Sequence, residues 1–269
     1  MSNSRPRSVS VVVATRNVVA MIETCLLSVL EQTHPDVEIV VIDGGSIDGT
    51  IEVLQRYSSR IKWVSEGDLG VNEAHRKGVL NATGTWIYFL GADDYLASPT
   101  ALERLFNACP DDLERFDILT AYALYEDGRL RRSDKPGLLR LIGSIHGQGA
   151  LYHRRLFREK SFDPQLRIHY DYDFNLWAFT SGKQFYHTNI LLAILGCGGL
   201  SDWPRWRNYV EDMHIRGRYV GGLPLFVSDI FCVARYVRKI VRCRLREISG
   251  YGMRSRAHPE PASIRQRRT

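Results

Sequence analysis

Two adjacent carboxylates, Asp93 and Asp94, follow a continuous apolar segment in the motif WIYFLGADD, which begins at Trp86. Such a segment is typical of a strand buried on both faces, and open α/β sheets bind ligands at the carboxyl ends of these strands. Carboxylates there suit Mg²⁺ or Mn²⁺, which bind through one or two acidic side chains together with substrate phosphates. The alternative is a helix cap, with Asp94 or Ser98 capping a helix near residues 99–106. The turn is therefore predicted to be either a metal-diphosphate site or a cap.

Strands and helices are predicted to alternate over the first 90 residues, which positions this turn within a sheet. Apolar and β-branched runs predict four strands, and the segments between them carry the apolar spacing of helices. The predicted strands lie at 8–14, 38–42, 61–65 and 86–90. This order predicts an α/β fold with a doubly wound, mostly parallel sheet.

The pattern is mixed after the Asp93-Asp94 turn. A helix is expected near residues 99–108, followed by a strand near 116–125 and a hairpin turn at Asp127-Gly128. An apolar stretch at 150–152, a helix over 171–177 and an apolar segment at 190–195 complete this part. We therefore expect a second half with mixed strand directions.

Composition excludes several classes of protein. The 269 residues are 44% hydrophobic, enough for a large packed core. The five cysteines are scattered and form no CxxC pair, which argues against a disulfide framework or a zinc site. No apolar run is long enough to span a bilayer, and the short polar N-terminus resembles no secretory signal. We expect a cytoplasmic protein.

The C-terminal segment carries most of the positive charge. Residues 205–269 contain 15 basic and 5 acidic side chains, whereas the whole chain has a net charge of +6. A helical projection of residues 226–248 separates an apolar face from a basic one, as in helices that lie on anionic membranes. The alternative is a helix packed on the domain with its basic face in solvent. Residues 252–269 are predicted to be disordered.

Polar side chains also follow the first two predicted strands. Ala14, Thr15, Arg16 and Asn17 end the first strand, and Asp43 ends the second. Because these ends share one edge of a parallel sheet, they are candidates for binding a nucleotide. In the turn after Asp43, the simpler interpretation is that a serine caps the following helix.

Four motifs occurring in order resemble family 2 glycosyltransferases, which are inverting enzymes with a GT-A fold. They are VVVATRN from Val11, IDGGSIDGT from Ile42, GTWIYFLGADD from Gly84 and DYDF from Asp171. The resemblance covers roughly residues 8–200 and is closest to small bacterial members that build surface polysaccharides or glycolipids. It implies a donor half at about 8–97 and an acceptor half at about 98–204.

The resemblance also implies roles for individual residues. Asp94 would ligate a divalent metal, Mg²⁺ or Mn²⁺, and Asp93 would contact the ribose or the metal's water shell. Asp171 matches the family's catalytic base, although the residue before it is Tyr170 rather than an acid. Asp173, two residues further along a helix, would face away and hold structure.

Two more segments carry family-like positions. His146 and Gln148 resemble a pair on the acceptor side, although a buried loop histidine is an equal alternative. Arg76 or Lys77 would face the diphosphate, unless both lie on a solvated helix face. Gly44 replaces a second aspartate that many relatives use to read uracil, so uridine is not implied as the donor base.

These observations predict a GT-A domain over residues 1–204, a basic amphipathic helical extension over 205–251 and a tail over 252–269. The predicted activity is metal-assisted transfer of a sugar from a nucleoside diphosphate to a hydroxyl of a polysaccharide or lipid-linked precursor. The expected setting is the inner face of the cytoplasmic membrane, with anionic lipid as a partner and no nucleic acid. The alternatives are a sugar-phosphate nucleotidyltransferase and a non-catalytic nucleic-acid-binding protein that uses the basic tail.

Overall fold

The computed structural model describes residues 7–67, 70–196 and 205–248, with side chains described as far as residue 241. In the donor half, strands and helices alternate as predicted. The elements are β1 (Val9–Thr15), α1 (Ile22–Leu30), β2 (Val37–Asp43), α2 (Thr50–Arg56), β3 (Lys62–Ser65), α3 (Val71–Asn81) and β4 (Trp86–Gly91).

The strands of the donor half are covered on both faces, which explains their continuous apolar sequences. In β1, Val11 and Val13 pack into one buried cluster together with Leu26 of α1. Val12 points the other way and joins a second cluster with Phe89 of β4. Because side chains alternate across a strand, a sheet with two buried faces needs apolar residues at every position.

The donor half forms one parallel sheet in which β1 lies between β2 and β4, and β3 borders β2. The register places Thr15 opposite Asp43 and Ala14 opposite Gly91. The loops that follow β1, β2 and β4 therefore emerge together at one edge of the sheet, as predicted.

The acceptor half extends this sheet with mixed directions. Its elements are β5 (Tyr95–Leu96), α4 (Ala101–Asn107), β6 (Ile118–Tyr125), β7 (Leu130–Arg131), β8 (Ala150–His153), α5 (Leu156–Glu159), α6 (Tyr170–Thr180) and β9 (Phe185–Leu195). The strand order is β3-β2-β1-β4-β8-β6-β9-β5, with β7 paired to β6. β8 runs antiparallel to both β4 and β6, whereas β9 runs parallel to β6. The predicted hairpin is confirmed, since β7 pairs antiparallel with β6 and Gly128 has a φ of +84°.

Two helices follow, α7 (Trp206–Tyr219) and α8 (Gly222–Ile248), and we call residues 205–248 the C-terminal arm. Tyr236 of α8 packs its ring against those of Trp206 and Tyr209, with centroids 5.0 and 5.1 Å apart. Arg216, fully buried on α7, donates to Asp229 of α8 over 3.0 Å. The predicted tail at 252–269 lies outside the described residues.

The packing of α8 combines features of the two sequence interpretations. The helix packs on the protein, and its buried positions include the small residues Ser228 and Cys232. Most of the large apolar side chains of α8 that are described, as far as residue 241, are exposed. We call them the exposed apolar face of α8: Leu223, Phe226, Val227, Ile230, Phe231, Val233, Val237 and Val241. The alternative of a helix packed on the domain is therefore confirmed in part, because α8 packs on the domain but exposes apolar residues as well as the basic Arg238. Contact of the apolar face with a membrane stays a prediction. None of the helices in the described ranges is both long and apolar enough to cross a membrane.

Candidate active site

The turn after β4 holds Asp93 and Asp94 close over Gly91. The backbone amide of Asp94 donates to the carbonyl oxygen of Gly91 over 3.0 Å. A Cβ atom on Gly91 would lie 2.4 Å from Oδ2 of Asp94 and 2.9 Å from Oδ1 of Asp93. Since both carboxylates fold back over the glycine, a larger residue there would displace them.

This turn does not cap a helix. α4 begins at Ala101, and its N-cap residue, Thr100, makes no side-chain cap bond. The carboxylate of Asp94 instead accepts a hydrogen bond from the backbone amide of Gly196, 2.9 Å away at the end of β9. The capping alternative for Asp94 and Ser98 is therefore wrong.

The environment of Asp94 disfavours its negative charge. The residue is only 5% exposed. Burial, and then the neighbouring carboxylate of Asp93, raise the pKa of Asp94 to about 7, while the Gly196 and Gly91 amides and the Gln148 side chain oppose the rise. Burial raises the pKa of the nearby Cys25 thiol and Tyr88 phenol, and the negative charge of Asp94 raises each further. Positive charge placed here would offset the repulsion between the two carboxylates.

A divalent cation at this turn would need oxygen ligands from a bound substrate in addition to those of the protein. Within the described part of the chain, no three His, Cys, Asp or Glu side chains group together as a metal site. Asp94, with Asp93 beside it, could supply one or two oxygen ligands, and phosphate oxygens and water would supply the others. The residues present therefore suit a metal that arrives with a diphosphate.

The loop after β1 is tied to the loop after β2. The amide of Asn17 donates to Oγ of Ser46 over 2.8 Å, and Oδ1 of Asn17 accepts from the amide of Ile47 over 2.9 Å. Asn17 has a φ of +53°, and Arg16 is exposed. Thr15 is buried, and its hydroxyl has no hydrogen-bond partner among the described residues. The residues that were predicted to bind the nucleotide after β1 thus lie at the sheet edge, and the Thr15 hydroxyl remains available for a hydrogen bond.

The carboxylate of Asp43 accepts hydrogen bonds mainly from its own loop. Its buried carboxylate accepts from the amides of Gly45 and Ser46, at 3.1 and 2.9 Å, and from the Ser46 hydroxyl. The hydroxyl of Ser65 donates to it as well, over 2.6 Å. The expectation that the serine caps α2 is wrong, because that helix begins at Thr50. Contact between Asp43 and a nucleotide stays a prediction, and the structure gives this residue a loop-holding role.

The two candidate cations on α3 differ. Lys77 pairs with Glu66 at 2.8 Å and with Glu73 at 3.2 Å, so it belongs to a solvated ion-pair group. Arg76 is half-buried, and its Nε has no hydrogen-bond partner among the described residues. Of the two, Arg76 is therefore the better candidate for binding phosphate.

A short 3₁₀ turn at Gly147–Gly149 joins the two sides of the site. The side chain of Gln148 faces the carboxylate of Asp94, and the backbone carbonyl oxygen of Gln148 accepts from the hydroxyl of Tyr88 over 3.0 Å. The backbone amide of Gly147 faces Asp171 on the other side. His146, which precedes the turn, is buried, and burial lowers its pKa well below the usual range, so its ring is neutral.

Asp171 lies in the first turn of α6 and is half-buried. Burial raises the pKa of its carboxyl group, while His169, the Tyr172 amide, Arg131 and the Gly147 amide oppose the rise. The Tyr172 amide donates to Oδ1 of Asp171 over 2.8 Å. A carboxylate with a raised pKa is a better proton acceptor, as a catalytic base requires.

The neighbours of Asp171 have structural contacts. Asp173 is fully buried and pairs with Lys160 at 3.0 Å and with Arg218 of α7 at 3.3 Å, so it holds structure as predicted. Tyr170, which stands where relatives have an acid, shares a 2.8 Å hydrogen bond with Nδ1 of His75 on α3. This contact fastens α6 to the donor half.

Comparison with known proteins decides the family. The family model described as "Glycosyl transferase family 2" matches residues 10–177, more than half of the chain. The chain belongs to glycosyl transferase family 2. A "PGL/p-HBAD biosynthesis glycosyltransferase" of Mycobacterium bovis is 33% identical over 179 residues, which cover 64% of this chain and 70% of that protein. The family match favours the glycosyltransferase interpretation over both alternatives, a nucleotidyltransferase and a nucleic-acid-binding protein.

Solved structures support the GT-A fold of this family 2 glycosyltransferase. The mannosyltransferase PcManGT of Pyrobaculum calidifontis, in complex with GDP-Man and Mn²⁺, matches with a TM-score of 0.64 and 22% identity, over 87% of this chain and 70% of that one. S. aureus TarS 1-349, in complex with UDP, matches with a TM-score of 0.63 and 18% identity. That match covers 79% of this chain and 65% of the TarS chain, slightly less than two thirds of it.

Sequence reasoning missed two residues of this glycosyltransferase site. Arg131 on β7 faces both Asp171 and His146, and the predicted hairpin after Asp127-Gly128 was the signal that could have found it. Gly196, which donates to Asp94, is 102 residues away from it in the chain. No local pattern marks a contact of that kind.

Proposed function

We propose that this glycosyltransferase moves one sugar from a nucleoside-diphosphate sugar to a hydroxyl group, with inversion at the anomeric carbon and with help from a divalent metal. One observation carries the proposal: the turn at 147–149 contacts Asp94 through Gln148 and faces Asp171 through the Gly147 amide. A donor diphosphate at Asp94 and an acceptor hydroxyl at Asp171 would therefore meet across a single short segment.

The donor edge would bind the nucleotide and its diphosphate. Asp94, assisted by Asp93, would hold Mg²⁺ or Mn²⁺, which offsets the charge that develops on the diphosphate as the anomeric bond breaks. Arg76 would contact the phosphates, and the segment Ala14 to Asn17 together with Asp43 would line the nucleoside. Relatives in fold bind UDP or GDP-Man with Mn²⁺, which supports a donor of this class.

Asp171 would act as the base. Its carboxylate takes the proton of the acceptor hydroxyl as the oxygen forms a bond to the anomeric carbon on the face opposite the diphosphate. The bond between that carbon and the diphosphate breaks, and its electron pair leaves with the nucleoside diphosphate. The Gln148 side chain lies at Asp94 and, together with His146 at the start of the same turn, would orient the acceptor. Since the pKa of Asp171 is raised, we expect the reaction rate to rise with pH until that group is ionised.

The acceptor would be a polysaccharide or a lipid-linked precursor, presented at the inner face of the cytoplasmic membrane. The exposed apolar face of α8 supports this location, because an apolar helix face beside basic residues suits an anionic bilayer surface. Arg238 is exposed beside that face.

The experiment that tests the proposal starts with a panel of UDP-, GDP- and dTDP-sugars, each supplied with Mn²⁺. Release of the nucleoside diphosphate, with water as the acceptor, identifies the donor, and thermal stabilisation measures its binding. Asp171→Asn should lower the rate of release by about 10²–10⁴-fold, the usual contribution of a general base, while donor binding stays within about twofold.

Two results would contradict the proposal. An unchanged rate in Asp171→Asn would exclude the base, and full turnover in excess EDTA would exclude the metal. Asp111→Ala, which alters an exposed carboxylate beyond α4, is the matched control and should behave as wild type.

A further inference from the structure

A side chain of the C-terminal arm holds the backbone of the segment that leads into α6. Glu211 of α7 accepts hydrogen bonds from three successive backbone amides, those of Arg167, Ile168 and His169. The distances are 3.5, 3.0 and 2.8 Å. One carboxylate therefore fixes the backbone immediately before the helix that carries Asp171.

This contact is important because α6 has no side-chain cap of its own. His169 is its N-cap residue and makes no side-chain cap bond, and α6 begins at Tyr170. Asp171 is therefore the second residue of the helix, within one turn of the amides that Glu211 holds. Movement of the 167–169 backbone would move the Asp171 carboxylate with it.

The next residue of α7 supports the same segment. Oδ1 of Asp212 lies 2.6 Å from Nδ1 of His169. Burial disfavours the charged ring, but Asp212 outweighs it and raises the pKa of His169. Two adjacent carboxylates of α7 thus hold one residue, His169, through its amide and through its ring.

We infer that Glu211 is a positioning residue for Asp171, an inference that rests on the proposed role of Asp171 as the base. Glu211 acts through the 167–169 backbone and touches neither the donor nor the acceptor. Catalytic geometry is sensitive to such support, because a displacement of about 1 Å can cost about a hundredfold in rate.

The inference also gives the C-terminal arm a second role. α7 is held in turn by α8, through the Arg216–Asp229 pair at 3.0 Å and the approach of Arg235 to within 3.9 Å of Asp212. The arm is therefore part of the structure that places the base, in addition to any contact it makes with a membrane.

The test compares Glu211→Ala with Glu211→Gln, whose amide oxygen still accepts hydrogen bonds. The probe reaction is release of the nucleoside diphosphate from the donor found in the panel, with Mn²⁺ and with water as the acceptor. We expect Glu211→Ala to lower kcat by about ten- to a hundredfold while KM for the donor stays within about twofold. Glu211→Gln should recover most of the lost kcat.

The matched control is Glu159→Ala. It removes an exposed ion pair with Lys183, which follows the other end of α6, and should leave kcat unchanged. If Glu211→Ala does not fold, Glu211→Asp replaces it in the test. Its shorter side chain holds the carboxylate further from the 167–169 amides, so we expect a folded protein with a lower kcat.

Three outcomes separate the possibilities. A folded Glu211→Ala with wild-type kcat overturns the inference, while an inactive Asp171→Asn would still support the proposed base. Equal losses of kcat and donor affinity in Glu211→Ala would show a merely structural role and overturn it as well. A fully active Asp171→Asn would instead contradict the proposed function itself, whatever Glu211 does.

Discussion

The donor edge and α6, the helix of the proposed base, are held in different ways. At the donor edge, loops bind each other within a short stretch of chain: Asn17 binds Ser46, and Asp43 binds the turn that follows it. The start of α6 depends on Glu211 and Asp212, which lie more than 40 residues further along the chain. The loops proposed to bind the nucleotide are therefore joined by contacts within the first half of the chain, whereas the helix of the proposed base also depends on the C-terminal arm. Asp94 is the exception at the donor edge, since it accepts a hydrogen bond from Gly196, 102 residues away.

The two regions also differ in whether their apolar side chains are buried or exposed. In the donor half, the apolar residues of β1, β2 and β4 fill two buried clusters on the two faces of the sheet. In the arm, eight large apolar side chains of α8 are exposed among those described up to residue 241. A globular protein seldom exposes a contiguous face of this kind without a partner for it. The arm therefore combines a positioning role toward α6 with an unpaired surface toward the outside.

The largest effect should come from the donor edge. Asp94→Ala removes the carboxylate proposed to hold the metal, and we expect turnover to fall by about a thousandfold, because a Lewis acid supplies several kcal/mol of stabilisation to the transition state. Donor binding in Mn²⁺ should fall too, unlike in Asp171→Asn. The measurement is nucleoside-diphosphate release together with a titration of the donor at fixed Mn²⁺. Donor affinity that is equal with and without the Asp94 carboxylate would contradict the metal role.

The contrast also shows which parts of the site could be predicted from sequence. Asp93 and Asp94 follow an apolar strand directly, and Asn17 follows another, so local pattern and sheet topology were enough to place them at one edge. Gly196 and Glu211 meet their partners across long stretches of chain, and such contacts leave no periodic signal. The fold of the first half was predictable because its apolar strands alternate with amphipathic helices, the pattern of the parallel sheet that β1 to β4 form.

The orientation of α8 was not predictable from its pattern. The amphipathic projection identified an apolar face but not which face packs. α8 packs through Ser228 and Cys232, small residues that let it approach α7 closely, and the ring of Tyr236 fills the space beside them. Hydrophobic periodicity assumes that the apolar side is buried, and this helix reverses that assumption.

A smaller effect, on stability, should come from the junction between α6 and the arm. Asp173→Ala removes the buried partner of Lys160 and Arg218, and a hydrogen bond from the Tyr219 hydroxyl at 3.0 Å. Breaking a buried ion pair costs about 3–5 kcal/mol, and we expect about 2–3 kcal/mol here because both cations are partly exposed and can regain water. Urea unfolding measures the change.

The control for that variant is Asp112→Ala, which breaks an exposed pair with Arg115 at 3.0 Å. Its free energy of unfolding should change by less than about 1 kcal/mol. If the two variants were equally stable, the junction would contribute no more than a surface pair, and the arm would not be an integral part of the acceptor half.

The smallest effect concerns the surface of the arm. Ile230→Ser combined with Val237→Ser makes two positions of the exposed apolar face polar, and binding to phosphatidylserine-containing vesicles should fall by about tenfold, since interfacial binding scales with buried apolar area. Both side chains are more than half exposed, so the melting temperature should stay unchanged. Substitution is preferable to truncation here, because removing α8 would also remove the contacts that hold α7 against α6. Equal vesicle binding by the variant and the wild type would refute the membrane surface while leaving the positioning role of α7 intact.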